Sequence, residues 1–294
     1  MPDQLLLDVG GTEIKATRVT AAGRPVGPAR HYPAKATESA ATIVANFVSI
    51  ITAAAAGDAL AGVGLAFPGP FDYAGGVSLM RGLGKYDALY GMPLTPAIQH
   101  AAARTLPWLT HARFAYIHDI AAFGLGETRG GVARDCERFM CLAIGTGAGS
   151  AFVANRRLVT TGAGVPPHGW LYDTPFRAGI VDDYVSARGL TRLAKCHTGV
   201  AYSGAQLAAL AAAGDEAARA TFTAFGQVVA QAVAPFVKDF APQALVLGGQ
   251  IAKSFTYFGQ PLTTALAAHH VACLVEPDFE AVVNAGIWAR LNQN

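Results

Sequence analysis

Residues 5–19 read LLLDVGGTEIKATRV. An apolar run reaches Asp8, two adjacent glycines follow, and a second β-like run resumes at Glu13. Glycine weakens a strand, so a pair between two strand-like runs marks a tight turn or a close approach of ligand to backbone. The pattern predicts strands over 5–9 and 13–19 joined by a turn at 10–12.

The same plan recurs at 138–159, RFMCLAIGTGAGSAFVANRRLV: a strand over 139–144, a glycine turn over 145–149, a strand over 150–154 and a hairpin turn at ANRR. Two halves with one layout suggest an internal duplication. Around them the sequence predicts a strand at 26–32, a helix at 38–56, a strand at 62–69 and a loop-rich stretch over 71–93. A helix at 94–105 and a strand at 114–119 follow. AAFGLGETR is helical, with Gly124 and Gly126 allowing close packing. Further on come a helix at 216–239 despite Pro235, the strand ALVLGG at 244–249, a helix from 251, the strand ACLVEP, and the closing helix FEAVVNAGIWARLN. Strands interleaved with helices make an α/β protein.

With 294 residues, 52% hydrophobic and 14% charged, the chain has material for a large core and about two domains. The net charge of +2 comes from scattered lysines and arginines with no basic stripe, which argues against nucleic acid as a partner. The opening MPDQLLLDVGG lacks a basic stretch and a cleavage site, so no secretory signal is expected. Residues 39–57 carry no charge, but Ile43, Val44, Phe47, Val48 and Ile51 repeat at helical spacing. That is a buried amphipathic helix, and no membrane partner is expected. The four cysteines, Cys136, Cys141, Cys196 and Cys273, form no C-x-x-C pair, so zinc spacing is absent and a reducing cytoplasm suits them.

Three glycine clusters, DVGGT (8–12), AIGTGAG (143–149) and VLGGQ (246–250), each end an apolar strand. Backbone N–H groups in such turns can cradle an anion, and glycine supplies both the backbone angles and the close approach. The Walker sequence is absent, and GTGAGS leads into a strand, where a dinucleotide loop opens a helix. One cluster alone is a hairpin turn; three at strand ends point to phosphate.

LLLDVGGTEIKA, GVGLAFPGP, HDIAAFGLGE, LAIGTGAGSAFV and LVLGG occur in the order found in the ROK family of sugar kinases, which the chain resembles over nearly its whole length. That family belongs to the actin, hexokinase and Hsp70 superfamily of ATPases. The resemblance implies two actin-like (ribonuclease H-like) α/β lobes, residues 1–117 and 118–278, with the final helix 279–294 packing back on the first and a nucleotide and sugar cleft between them. It implies ATP and Mg²⁺ as cofactors. Gly10, Gly11, Thr12 and Lys15 would meet the phosphates, as would Gly145, Thr146 and Gly147; Gly248 and Gly249 would approach the adenosine, and Asp8 would hold Mg²⁺ through water.

A sugar kinase needs a group to accept the hydroxyl proton. Asp119 ends a strand directly before a helix, where it serves as helix cap, as the family's base, or as both. The resemblance implies that Gly69 and His118 would contact the sugar, with His118 standing where the family often has Asn. The family's Glu-x-Gly-His segment has no clean match: in GAGVPPHGWLYD, His168 aligns as a sugar contact or stays a simple loop histidine. The family's zinc motif is absent, so no structural zinc is expected, and the loop over 165–183 must be held by Trp170, Tyr172, Phe176 and Tyr184. In MRGLGKYDALYGMP, Lys85, Tyr86 and Asp87 either bind a polyol or are merely solvated.

The expectation is a cytoplasmic, ATP- and Mg²⁺-dependent kinase acting on the primary hydroxyl of a hexose-like sugar, with the family's habit of forming homodimers. The rival is a non-catalytic sugar-binding or sugar-sensing relative. ROK repressors carry a DNA-binding segment before the D-x-G-G-T motif, and seven residues precede Asp8 here, so no such segment is expected.

Overall fold

The structure is a computed structural model describing residues 2–293. In chain order the first elements are β1 (Gln4–Val9), β2 (Glu13–Val19), β3 (Arg30–Pro33), α1 (Ala40–Ala55), β4 (Gly62–Ala66), the short hairpin β5 (Phe71–Asp72) and β6 (Val77–Ser78), α2 (Leu94–Ala102), β7 (Arg113–Ile117) and α3 (Asp119–Gly130). Then come β8 (Arg138–Ile144), β9 (Ala148–Ala154), β10 (Arg157–Val159), the hairpin β11 (Pro175–Phe176) and β12 (Gly179–Ile180), α4 (Val181–Tyr184), α5 (Ala187–Thr198), α6 (Gly204–Ala212) and α7 (Glu216–Phe240). β13 (Ala244–Gly248), α8 (Phe255–Ala267), β14 (Ala272–Val275) and α9 (Phe279–Leu291) complete them.

The chain divides into two compact units. One runs up to Gly126 and takes in the chain from Glu280 onward; the other is Glu127–Phe279. The first holds a five-stranded sheet in the order β3-β2-β1-β4-β7, the second one in the order β10-β9-β8-β13-β14. In each, the first two strands pair antiparallel, and the first pairs parallel with a strand reached through a helix. The duplicated layout of the sequence is thus a duplicated sheet topology.

In the first unit, Leu5, Leu7, Val63 and Leu65 of the sheet are fully buried against Phe47, Ile50 and Ile51 of α1. Each such side chain contributes roughly 1.5–3 kcal/mol on burial. Ser39 caps α1 by accepting the N–H of Thr42 at 3.2 Å, and Ala56 ends it in the left-handed region. Gly64 lets Ile287 of α9 approach β4, for a Cβ there would lie 2.7 Å from the Ile287 side chain. α3 and α9 meet backbone to backbone, a Cβ on Gly126 or on Gly286 falling 1.8 Å from the carbonyl of Val282 or of Ala122. In the second unit, Phe222, Phe225, Val229 and Val233 of α7 pack with Met140, Leu245 and Leu247 of the sheet. Asp215 caps α7 by accepting the N–H of Ala218 at 2.7 Å. Among the described residues α7 alone is long and apolar enough to cross a membrane, and 61% of that stretch is buried in the fold.

Several expected elements differ, among them the strand expected at 114–119, which ends at Ile117 so that Asp119 belongs to α3, and the helix expected at 94–105, which ends at Ala102. The strand expected at 26–32 forms only from Arg30, because Gly27 turns the chain at φ 92° and Pro28 lacks an N–H. The strand expected at 62–69 leaves the sheet after Ala66. The helix expected from 251 opens as a 3-10 turn, Ile251–Ser254, before α8.

Candidate functional site

In the first unit β1, β4 and β7 run parallel, so their C-terminal ends share one edge of the sheet. Binding groups collect at such an edge in α/β folds. It carries Asp8 and the Gly10–Gly11 turn after β1, Gly69 beyond β4, and His118 and Asp119 after β7. Asp8 stands opposite Lys15 across β1 and β2, and the Lys15 ammonium lies 2.9 Å from Glu280. Burial first, then the charge of Asp119, pushes the Asp8 carboxyl up to about 6, against the pull of Lys15.

Asp119 is the first residue of α3, at the positive end of the helix. Its side chain is half-exposed, and its Oδ1 accepts the N–H of Ile120 at 2.7 Å and lies 3.2 Å from His118 Nδ1. Tyr73, a residue the sequence did not single out, stands edge-on to His118 at 5.8 Å and donates its hydroxyl to the Phe67 carbonyl at 3.0 Å. Burial and Asp119 raise that phenol, which stays neutral. A Cβ on Gly69 would lie 3.3 Å from the Tyr73 hydroxyl and 3.5 Å from the His118 ring, so a side chain there would crowd the space between them.

The two glycines of the first turn serve different ends. Gly10 donates its N–H to Glu13 at 2.9 Å, and a Cβ on Gly10 would sit 2.9 Å from that carbonyl. A Cβ on Gly11 would meet only Lys85 Cδ, at 3.4 Å. Neither glycine has a positive φ, so the expectation of glycine-only backbone angles is corrected: closeness excludes a side chain at Gly10, and the protein leaves room for one at Gly11. Among the described residues the N–H groups of Gly11 and Thr12 have no protein acceptor. Tyr86 is fully buried and donates its hydroxyl to the Gly10 carbonyl at 2.8 Å, and Asp87 accepts the N–H groups of Leu83 and Gly84 at 3.0 Å each. Tyr86 and Asp87 thus hold main-chain groups of the turn and loop, which corrects the alternative of mere solvation for them.

The second unit repeats the arrangement at the ends of β8, β13 and β14. Gly145 bonds Gly147 at 3.0 Å, while Thr146 and Gly147 have N–H groups with no acceptor among the described residues. Asp182 accepts the N–H of Ala148 at 2.7 Å and is itself paired with Arg188 at 2.8 Å; a Cβ on Gly147 would lie 2.7 Å from its Oδ1. Gly248 ends β13, and Gly249 follows with φ 82°, where a Cβ would strike the Ile144 carbonyl at 2.6 Å. Beside it opens a cavity of about 280 Å³ lined by Gly249, Ala252, Lys253, Phe255 and Glu276. A larger hollow of about 410 Å³, lined by Pro166, Pro167, Pro235 and Phe236, lies away from these strand ends.

His168 lies in the loop between β10 and β11, with φ 60° and its ring 4.9 Å from Trp170. That loop is pinned by Phe176 against Tyr184 at 5.3 Å, and Ser150 binds its backbone, donating to the Gly169 carbonyl at 2.7 Å. Among the described residues no three His, Cys, Asp or Glu side chains group to hold a metal. Asp8 nonetheless suits Mg²⁺, which keeps several waters and leans on one or two carboxylates plus phosphate oxygens. A cation there would offset the burial and the neighbouring carboxylates that raise its carboxyl.

Glu280 and Asp182 were missed because their partners lie 265 and 34 residues away. The recurring strand-end position was the available signal for Glu276, which follows β14 as Asp119 follows β7.

Residues 5–286 match the sequence profile of the ROK family. No curated protein matches the chain. Among solved structures, the chain is similar to the ROK hexokinase of Thermus thermophilus, with 21% identity over 97% of each chain and a TM-score of 0.75. It is similar to a ROK glucokinase of Streptomyces griseus, solved with glucose and AMPPNP, with 18% identity over 97% of each chain and a TM-score of 0.73. It is also similar to a ROK transcriptional regulator, a homolog of the E. coli MLC protein, at 15% identity over 98% of this chain and 78% of that one, with a TM-score of 0.78. At these identities the structures speak for the fold.

Proposed function

The chain belongs to the ROK family, and from that premise we propose that it is a cytoplasmic, ATP-dependent sugar kinase that phosphorylates the primary hydroxyl of a hexose-like sugar. The observation that carries this reading is the edge of the first sheet. There a half-exposed carboxylate, Asp119, and a partly buried one, Asp8, accompany two backbone N–H groups with no acceptor among the described residues.

Asp119 takes the hydroxyl proton as the sugar oxygen attacks the terminal phosphoryl group, for which positioning and charge neutralisation do most of the work. Its Oδ1 is engaged by Ile120 and His118, leaving Oδ2 for the sugar. The Gly11 and Thr12 amides of the first unit are donors for phosphate oxygens. The cavity beside Gly249 takes the nucleoside, with Phe255 for the base. Mg²⁺, held from Asp8, neutralises phosphate charge when bound.

His118 in place of asparagine and the missing glutamate near His168 favour, as the second reading, a sugar-binding relative without catalysis. ADP release measured across a panel of hexoses and N-acetylated hexosamines separates the two. Sugar-dependent ADP release is expected; sugar binding by calorimetry with no ADP release would favour the second reading.

A further inference from the structure

We propose that Lys85 is a phosphate-binding residue, its ammonium meeting the phosphate chain of the nucleotide at the Gly10–Gly11 turn. The proposal rests on the kinase reading and adds to it a cation that lies outside the D-x-G-G-T motif. It starts from how firmly the loop is set. Tyr86 holds φ 56°, a costly left-handed conformation for an aromatic residue, which persists only where the surroundings over-determine it. Here they do. The Tyr86 ring lies 5.1 Å from Phe67, its N–H donates to Ala36 at 2.6 Å, and its hydroxyl holds the Gly10 carbonyl. On the other side the Asp87 carboxylate gathers the N–H groups of Leu83 and Gly84. Lys85 therefore hangs from a loop fastened to the phosphate turn itself.

Its Cδ is the nearest foreign atom to the open side of Gly11, 3.4 Å from where a Cβ would be. The ammonium is two bonds further on, within reach of whatever the turn binds. Among the described residues Lys85 makes no ion pair, whereas Lys15, the cation within the motif, is already matched by Glu280. The amides of Gly11 and Thr12 and the ammonium thus form a set of three donors at the turn; of the carboxylates on the same edge, Asp8 suits the cation and Asp119 the sugar hydroxyl. A polyol offers both donors and acceptors and would leave its own hydroxyl protons unmatched against such a set. A phosphate offers acceptors only, and charge-assisted bonds to it are the strong kind.

The test uses the full chain and calorimetric titration with MgATP and with adenosine, together with thermal melting. Lys85→Gln is expected to raise the Kd for MgATP about tenfold, in line with loss of one charge-assisted hydrogen bond. Adenosine affinity and melting temperature should stay at wild-type values. Lys85→Arg should recover most of the loss, and the difference between wild type and Lys85→Gln should shrink as salt rises. Unchanged MgATP affinity in Lys85→Gln overturns the proposal and leaves the kinase reading standing. So does a rise in sugar KM with MgATP affinity intact, which would make Lys85 a polyol contact. A wild-type chain that binds no MgATP overturns the kinase reading and this proposal with it, an outcome read before any substitution is made.

Discussion

Asp8 and Asp119 reach the same sheet edge from surroundings that differ, and the difference separates their roles. Asp119→Asn keeps the size of the side chain and its acceptor for the Ile120 N–H, so fold and substrate binding should persist. The amide cannot take a proton, and kcat should fall about 10²–10⁴-fold with KM little changed. Turnover within about threefold of wild type, measured on the preparation whose melting temperature is also taken, would sink Asp119 as the base. For Asp8 the folded chain holds the carboxyl up at about 6, above its ordinary value of 3.8. A raised carboxyl means that folding favours the protonated form, so this stabilisation is complete below the ordinary value and is lost as pH climbs through about 6. Melting of the unliganded protein should show that loss, and Asp8→Asn should remove it. MgATP binding should run the other way, weakening as pH falls below about 6, because the proton competes with the cation for one carboxylate. Calorimetry across that range checks the sign.

At the scale of the turn, adjacent glycines predict opposite phenotypes. Gly10→Ala pushes a methyl to 2.9 Å from the Glu13 carbonyl, which cannot move without losing the Gly10 N–H bond that closes the turn between β1 and β2. It should cost about 1–3 kcal/mol of stability, read by chemical denaturation. Gly11→Ala meets only the flexible Lys85 stem, so stability should hold while the Kd for MgATP rises by about tenfold or more, the methyl standing where phosphate would come. Elements with a strong period were legible in the sequence: β1, β2, α1 and α7 reveal themselves by alternation or by apolar spacing. The hairpins β5–β6 and β11–β12 have strands of two residues each, too short for any period to show. At the site, the motif residues of each unit could be read because they cluster within a few positions of a strand end. The partners that tune them could not, since Lys15 with Glu280 and Ala148 with Asp182 are joined only by the fold.

At the scale of the whole molecule, stability also carries a term from a pair of acids in the second unit. Glu127 is fully buried at the end of β14 beside Glu276, and main-chain N–H groups of Ala133, Val132 and Asp278 point at the two carboxyls. Burial raises Glu127 to about 7, with Glu276 adding to it. The folded form therefore prefers the proton, and this contribution fades as pH rises through about 7. Glu127→Gln, which keeps shape and supplies a permanent donor, should flatten the decline in melting temperature above neutrality; an unaltered decline would show that the pair does not govern it. The chain leaves the first unit within α3 and returns to it with α9. Ile287 on Gly64, Trp288 on Gly23 and the paired amides of Gln4 and Asn292 belong to that returning segment. Domains ordinarily fold in the order in which they leave the ribosome. Here the unit begun first is finished last: β1 to β7 can pair early, but the bare glycines of β4 wait for α9 while all of Glu127–Phe279 is made and folds. A nascent chain stalled before Glu280 thus presents one completed unit and, in the older half, one with an open seam along β4.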